Sequence, residues 1–351
     1  MSQTPADSSE VRSEDAFDLD PVRRWLATVG IDLGDEVEIR QFRGGASNLT
    51  YSLRDSEHDL ILRRPPSGKK AAGAHDMARE YRIQAGLAQS FPLVPKMIGL
   101  CQEEAVLGSD FYVMERIDGI IPRRDFPIEI NPADTAALCR NAIGALIDLH
   151  EVDVQATPLA SMYKGLGYVE RQISGWTRRF RDARTPDVPD FEGVMDWLAA
   201  NQPDDVGACM IHNDFRFDNL VLAKEDPTKP IGLLDWELAT VGDPLMDLGS
   251  TTAYWVQADD DDFSQLFRRQ PTHLPGMMTR AELVDHYCAA RGLALTPAQW
   301  RFYDVYGVFR LAGIAQQIHY RYYHGQTTNE DLAIFGQAVG HLESRCKEII
   351  G

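Results

Sequence analysis

The run His212-Asn213-Asp214-Phe215-Arg216-Phe217-Asp218-Asn219 is followed, sixteen residues later, by Asp235 in Leu233-Leu234-Asp235-Trp236-Glu237. These residue types at these spacings suit phosphoryl transfer. An aspartate two residues after a histidine can orient a hydroxyl and accept its proton, and an asparagine oxygen five residues on is a hard ligand for Mg²⁺. A second carboxylate after the next apolar stretch completes the set. Asp214 is thus expected as the base, and Asn219 and Asp235 as the metal ligands. Arg216 is expected either to neutralise a phosphate or substrate oxygen or to pair with Asp218, and His212 to be architectural.

Such groups work only if short, rigid elements hold them. Three apolar pieces, residues 208–211, 219–223 and 231–234, are expected as small strands around the loop. Upstream, strands are predicted at residues 36–42, 49–53, 59–63, 96–101 and 111–116, with a helix over 75–89. Five antiparallel strands and that helix make a compact α+β lobe before residue 118, preceded by a short helix with Asp20 as its cap and Val22, Trp25 and Leu26 on its buried face. Beyond Asp118-Gly119 the pattern turns helical. Asn131 and Pro132 begin one helix, residues 168–182 and 190–200 form others, and Thr279 with Glu282 and Thr296 with Pro297 mark later starts. The expected division is residues 1–16 disordered, 17–117 an N-lobe and 118–351 a C-lobe carrying the loop and the acceptor site.

The 351 residues are 44% hydrophobic and carry a formal charge of −18, which disfavours nucleic acid and anionic membrane surfaces and favours cationic or neutral small substrates. Five widely spaced cysteines suggest reduced thiols, and the histidines lack metal-ligand spacing, so no disulfide framework, zinc or iron centre is expected. With no signal peptide and no long apolar run, the expected location is cytoplasmic, without a membrane partner. Late aromatic residues, among them Trp300, Phe302, Tyr303, Tyr306 and Phe309, are expected as core and as the wall of an acceptor pocket.

Further motifs are Phe42-Arg43-Gly44-Gly45-Ala46-Ser47-Asn48, Leu62-Arg63-Arg64-Pro65-Pro66, Arg79-Glu80-Tyr81, Tyr112-Val113-Met114-Glu115 and Gly242-Asp243-Pro244-Leu245-Met246-Asp247-Leu248. With the loop, over roughly residues 35 to 260, they resemble the aminoglycoside phosphotransferase family, which includes choline and homoserine kinases. Within it the chain looks closest to the branch related to kinase-like domains fused to acyl-CoA dehydrogenases. The resemblance implies a protein-kinase-like bilobal α+β fold, with ATP and Mg²⁺ between a small N-lobe and a larger, mainly helical C-lobe. It also implies roles. Gly44, Gly45, Ser47 and Asn48 would cover the phosphates. Arg63 stands where the family usually has a lysine, paired with Glu80, and Arg64 is an alternative phosphate contact. Met114, Glu115 and Ile117 would form the adenine hinge, and Asn213 replaces a glycine before the base. Asp243 and Asp247 are expected to begin a helix that supports the segment of Asp235.

The implied activity is transfer of the γ-phosphate of ATP to a hydroxyl of a small molecule, such as a hydroxyacyl compound or hydroxyacyl-CoA. The alternatives are a nucleotide-binding pseudokinase with a regulatory role and an aminoglycoside or amino-alcohol kinase. Neither the acceptor nor the oligomeric state is fixed by the sequence.

Overall fold

A computed structural model describes residues 8–42, 48–66 and 76–351. Gly44, Gly45 and Ser47 lie outside the described residues. The chain divides into two compact units, Met1–Gly119 with Ile231–Glu237 and Ile120–Pro230 with Leu238–Gly351. The segment containing Asp235 therefore belongs to the N-terminal unit, although it follows the 212–219 loop in sequence.

The N-terminal unit is built on β1 (Ser8–Ser9), β2 (Glu38–Phe42), β3 (Leu49–Arg54), β4 (Asp59–Arg64), β5 (Met97–Cys101) and β6 (Phe111–Glu115). These form one antiparallel sheet of six strands in the order β1-β2-β3-β4-β6-β5. The sixth strand corrects the expected five, and it comes from the stretch expected to be disordered. Its polar composition concealed specific partners. Ser8 pairs with Phe42, and Asp15 is buried where its carboxylate accepts from Gln41 Nε2 at 2.8 Å and its carbonyl from Tyr51 Oη at 2.8 Å.

Helix α1 (Leu19–Thr28) buries Val22, Trp25 and Leu26 as their spacing requires, but its cap is Asp18 rather than Asp20. Strand β4 shows how alternation assigns chemistry to one face of the sheet. Leu60 and Leu62 join the core containing Val22, Leu26 and Tyr51, whereas Ile61 packs on the opposite side with Met77 of α2 (Met77–Leu87), Tyr112 and Met114. Arg63 shares the face of Ile61. A short α3 (Glu104–Leu107) precedes β6.

The second unit is mainly helical: α4 (Pro132–His150), α5 (Tyr168–Asp182), α6 (Glu192–Ala200), α7 (Pro244–Ala253), α8 (Asp262–Phe267), α9 (Arg280–Ala290), α10 (Pro297–Tyr323) and α11 (Phe335–Ile350). Its caps follow the sequence. Asn131 caps α4 before Pro132, and Thr279 with Glu282 and Thr296 with Gln299 form capping boxes. The second unit also holds the short strands β7 (Cys209–Ile211), β8 (Leu220–Leu222) and the unexpected β10 (Thr240–Gly242), which pairs antiparallel with β7, whereas β9 (Pro230–Leu233) falls mostly in the segment that belongs to the N-terminal unit. Three residues, Thr-Val-Gly, are too short a run to show strand alternation.

Helices α7 and α10 cross with backbones almost touching, because two glycines meet there. A Cβ on Gly307 would overlap the Gly249 carbonyl, and one on Gly249 would overlap the Tyr303 carbonyl. Gly307→Ala should therefore lower stability by about 1–3 kcal/mol, as overpacking does, and a melting temperature equal to wild type would contradict this packing.

Asp243 caps α7 by accepting from the N–H groups of Leu245 and Met246, and it also accepts from Val206 at 2.7 Å. Burial pushes its carboxyl up to about 6 against the pull of those N–H donors. The folded chain therefore holds a proton that the unfolded chain has already lost, so this group's stabilisation is present below pH 3.8 and lost as pH rises through about 6. Asp243→Asn does not titrate. Its melting temperature should improve relative to wild type as pH is raised across that window, and a constant difference would refute the assignment.

Candidate active site

The loop is fixed first by its main chain. Asp247, fully buried on α7, accepts the N–H of His212 at 2.7 Å and that of Asn213 at 2.8 Å. His150 Nε2 lies 3.1 Å from the same carboxylate, with its Nδ1 2.7 Å from Tyr287 Oη. Burial alone would raise the Asp247 pKa, but the hydrogen bond and charge of His150 and the N–H of His212 hold it below the usual carboxylate value. Asn213 sits at φ +64°, the left-handed conformation that its replacement of glycine demands. Its carbonyl accepts from Arg310 Nη2 at 2.7 Å, and the Arg310 guanidinium lies over the Trp176 ring.

That turn sets Asp214, whose side chain is 15% exposed. Asn219 Nδ2 lies 3.1 Å from Asp214 Oδ2 and 2.8 Å from its carbonyl oxygen, which leaves the asparagine oxygen as the atom that can ligate a cation. Arg216 Nη2 stands 3.2 Å from Asp214 and its Nε 3.3 Å from Asp218, with the guanidinium over Tyr254. The structure thus brings Asp214, Arg216 and Asn219 together. Arg216 pairs with both acids rather than with Asp218 alone.

In the N-terminal unit Arg63 bridges two carboxylates, Glu80 at 3.2 Å and Asp235 at 3.3 Å. Glu80 is buried and also accepts from Tyr112 Oη at 2.8 Å, while Gln84 Nε2 donates to that hydroxyl. Burial acts to weaken the Arg63 cation, but Glu80, Tyr112, Asp235 and Glu237 together outweigh it and raise its pKa. Asp235 itself adopts φ +65°. Beside it Glu237 receives Asn48 Nδ2 at 3.4 Å, and its carbonyl accepts from Arg79 at 2.9 Å.

Two expectations, for Arg64 and Asp247, need correction. Arg64 cannot share the role of Arg63, because successive strand residues face opposite ways; it is buried against Phe17 and Tyr51 and donates to the Asp15 carbonyl. Glu115 is exposed and ion-pairs with Lys96 at 2.5 Å, and the N–H groups of Glu115 and Arg116 are taken by the carbonyls of Lys96 and Asp59. Met114 is buried and Ile117 is half-buried, so a base at this edge would have to use carbonyls or Ile117. Asp247, expected to support the Asp235 segment, instead ties down the 212–213 main chain. His150, Tyr112 and Arg310 were not anticipated. Tyr112 stood within a quoted motif without a role, and Arg310 left a signal as a cation on the buried stripe of Tyr306, Phe309 and Gly313.

Two cavities open in the second unit. One of about 310 Å³ runs past His150, Cys209, Pro244 and Arg291, and its lining does not include Asp214, Arg216 or Asn219. The smaller, about 230 Å³, has Arg216 and Tyr254 in its wall and is otherwise mostly apolar, with Leu311, Ile314 and Ile318 of α10 among its lining. The expected helix supplies this wall, but the aromatic residues Phe302, Tyr303, Tyr306 and Phe309 are buried in the core instead. Among the described residues no group of three or more His, Cys, Asp or Glu side chains could hold a metal. Asn219 in the second unit and Asp235 in the N-terminal unit each offer a hard oxygen, the donor type that suits Mg²⁺.

The model of the APH phosphotransferase enzyme family matches residues 38–295. Human acyl-CoA dehydrogenase family member 11 is 34% identical over 346 residues, covering 96% of this chain and 44% of that protein. The chain thus spans less than half the length of that relative. A candidate aminoglycoside phosphotransferase from Ralstonia eutropha JMP134 has a TM-score of 0.81 at 28% identity, covering 95% of this chain and 98% of the other. A thermostable mutant of aminoglycoside phosphotransferase APH(4)-Ia, in ternary complex with AMP-PNP and hygromycin B, shares the fold at TM-score 0.58 and 14% identity, covering 94% and 98% of the two chains.

Arg310 holds the turn without touching the reacting groups. Arg310→Met should lower turnover about 10- to 100-fold, the worth of a buried charged hydrogen bond, with acceptor KM nearly unchanged, and Arg310→Lys should recover part of it. Equal turnover in all three proteins would remove Arg310 from this role.

Proposed function

The chain belongs to the APH phosphotransferase enzyme family, and from that premise we propose that it transfers the γ-phosphate of ATP to a hydroxyl of a small acceptor with an acyl-type, apolar body. The observation that carries this reading is the Asp214 carboxylate, held by Asn219 and Arg216 on a loop whose backbone is locked by Asp247 and Arg310. Phosphoryl transfer asks the protein mainly for positioning and charge cancellation, which such a loop provides.

In the proposed reaction the acceptor oxygen bonds to the γ-phosphorus as the bond to the bridging oxygen of ADP breaks. The hydroxyl proton passes to Asp214. Arg216 offsets charge on the transferring group or the acceptor, and Asn219 and Asp235 would be the residues to offer oxygens to Mg²⁺, which would supply charge neutralisation of the phosphates when bound. Arg63 retains the Glu80 partnership expected of the usual lysine and reaches Asp235 with a second nitrogen, so the cation is kept despite the substitution. That argues against the pseudokinase alternative. Asn48, beside Glu237, would mark the end of the turn over the phosphates. The acyl-type acceptor is supported by the apolar cavity bordered by Arg216 and by the relation to proteins named for acyl-CoA dehydrogenation.

An ADP-release assay over hydroxyacyl-CoA esters, free hydroxy acids, aminoglycosides and amino alcohols tests this directly. Activity should need Mg²⁺ and concentrate in the acyl compounds, and Asp214→Ala should lower turnover about 10²–10⁴-fold. Undiminished turnover in that variant would remove the base.

A further inference from the structure

The charge lining the smaller cavity runs against the charge of the whole chain. A protein of net charge −18 places Arg216, Arg269, Arg345 and His341 around this space, and no aspartate or glutamate is among its described lining residues. Arg216 is matched by Asp214 and Asp218. Arg345 is not matched in this way. On α11 it is half-buried, and among the described residues it makes neither a hydrogen bond nor an ion pair. Asp304 and Asp260 act on it only as charges at longer range, and Asp260 is committed to Arg280 at 2.6 and 2.7 Å. Burial, and then the like charge of Arg280, hold the Arg345 pKa below the ordinary guanidinium value. A half-buried guanidinium with no carboxylate in contact is only partly solvated, and a bound anion would supply the missing partner.

The geometry points to Arg345 as a specificity-determining residue that grips a carboxylate or phosphate carried by an apolar acceptor in this cavity, with exposed Arg269 reinforcing the field. The inference rests on the phosphotransferase reading for the word acceptor, and it adds that the acceptor is an anion. A guanidinium fork suits the two oxygens of a carboxylate or phosphate, while the neighbouring Leu311, Ile314, Ile318 and Leu342 suit the body of the same molecule. Aminoglycosides and amino alcohols, which the acidic composition alone would favour, meet cations here instead.

The test uses probes without a hydroxyl, so that it does not depend on transfer chemistry. Calorimetry on the full chain would compare octanoate, octyl phosphate, octanamide and octylammonium. Wild type should bind one or both anions, and whichever is tighter identifies the group, while octylammonium should bind at least 10-fold more weakly. Arg345→Gln should weaken the anions about 10- to 100-fold and leave octanamide unchanged, and Arg345→Lys should restore part of the loss. If Arg345→Gln does not fold, the Lys variant and the wild-type probe series decide. Absence of anion binding to wild type, equal binding of octylammonium, or an equal loss for octanamide and octanoate in Arg345→Gln would overturn the inference. Anion binding through Arg345 with no phosphorylation of any hydroxylated anion would leave it standing and overturn the kinase reading instead.

Discussion

A single buried carboxylate, Asp247, receives two consecutive main-chain N–H groups of the loop and is itself steadied by His150. Those bonds secure the left-handed turn at Asn213, a conformation that costs energy and persists only where its surroundings over-determine it. Arg310 closes the turn from its carbonyl side. The direction of Asp214 is a consequence of this turn, and with it the bonds to Asn219 and Arg216. Removing water from the anchor strengthens it, since every partner of Asp247 is charge-assisted or buried.

The N-terminal unit uses a different device. Its chemistry follows from strand alternation, which gives Ile61 and Arg63 to one face of the sheet and Leu60, Leu62 and Arg64 to the other. Two adjacent arginines thereby acquire unrelated duties. Arg63 holds Glu80 and Asp235, while Arg64 joins Tyr51 and the main chain of Asp15 into the core. A slip of one residue in β4 would exchange them.

Net charge does not describe the lining of the smaller cavity. A charge of −18 describes the summed surface, whereas recognition depends on a few side chains in a shielded space where water screens less. The acidic side chains of the 212–219 loop, Asp214 and Asp218, are already paired with Arg216, and the cavity next to Arg216 carries the opposite sign.

Much of the architecture was legible in order and spacing. Helix caps at Asn131, Thr279 and Thr296, the buried stripe of α1 and the grouping of Asp214, Arg216 and Asn219 depend on contacts between near neighbours in sequence, and local chemistry determines those, while the sheet strands from Glu38 onward showed in their own residue patterns although β4 finds β6 far along the chain. What lay beyond the sequence were partners separated by long stretches of chain: Asp15 with Gln41 and Tyr51, Arg310 with Asn213, His150 with Asp247. The cationic lining around Arg345 is of the same kind, since it gathers Arg216 and Arg269 from loops far from α11 in the chain. The sequence by itself determined which residue types could perform the chemistry and at what spacing. Tertiary packing alone decided which distant groups fix their direction and what charge surrounds them, because hydrogen bonds and ion pairs depend on distance in space, and chain separation carries no record of it.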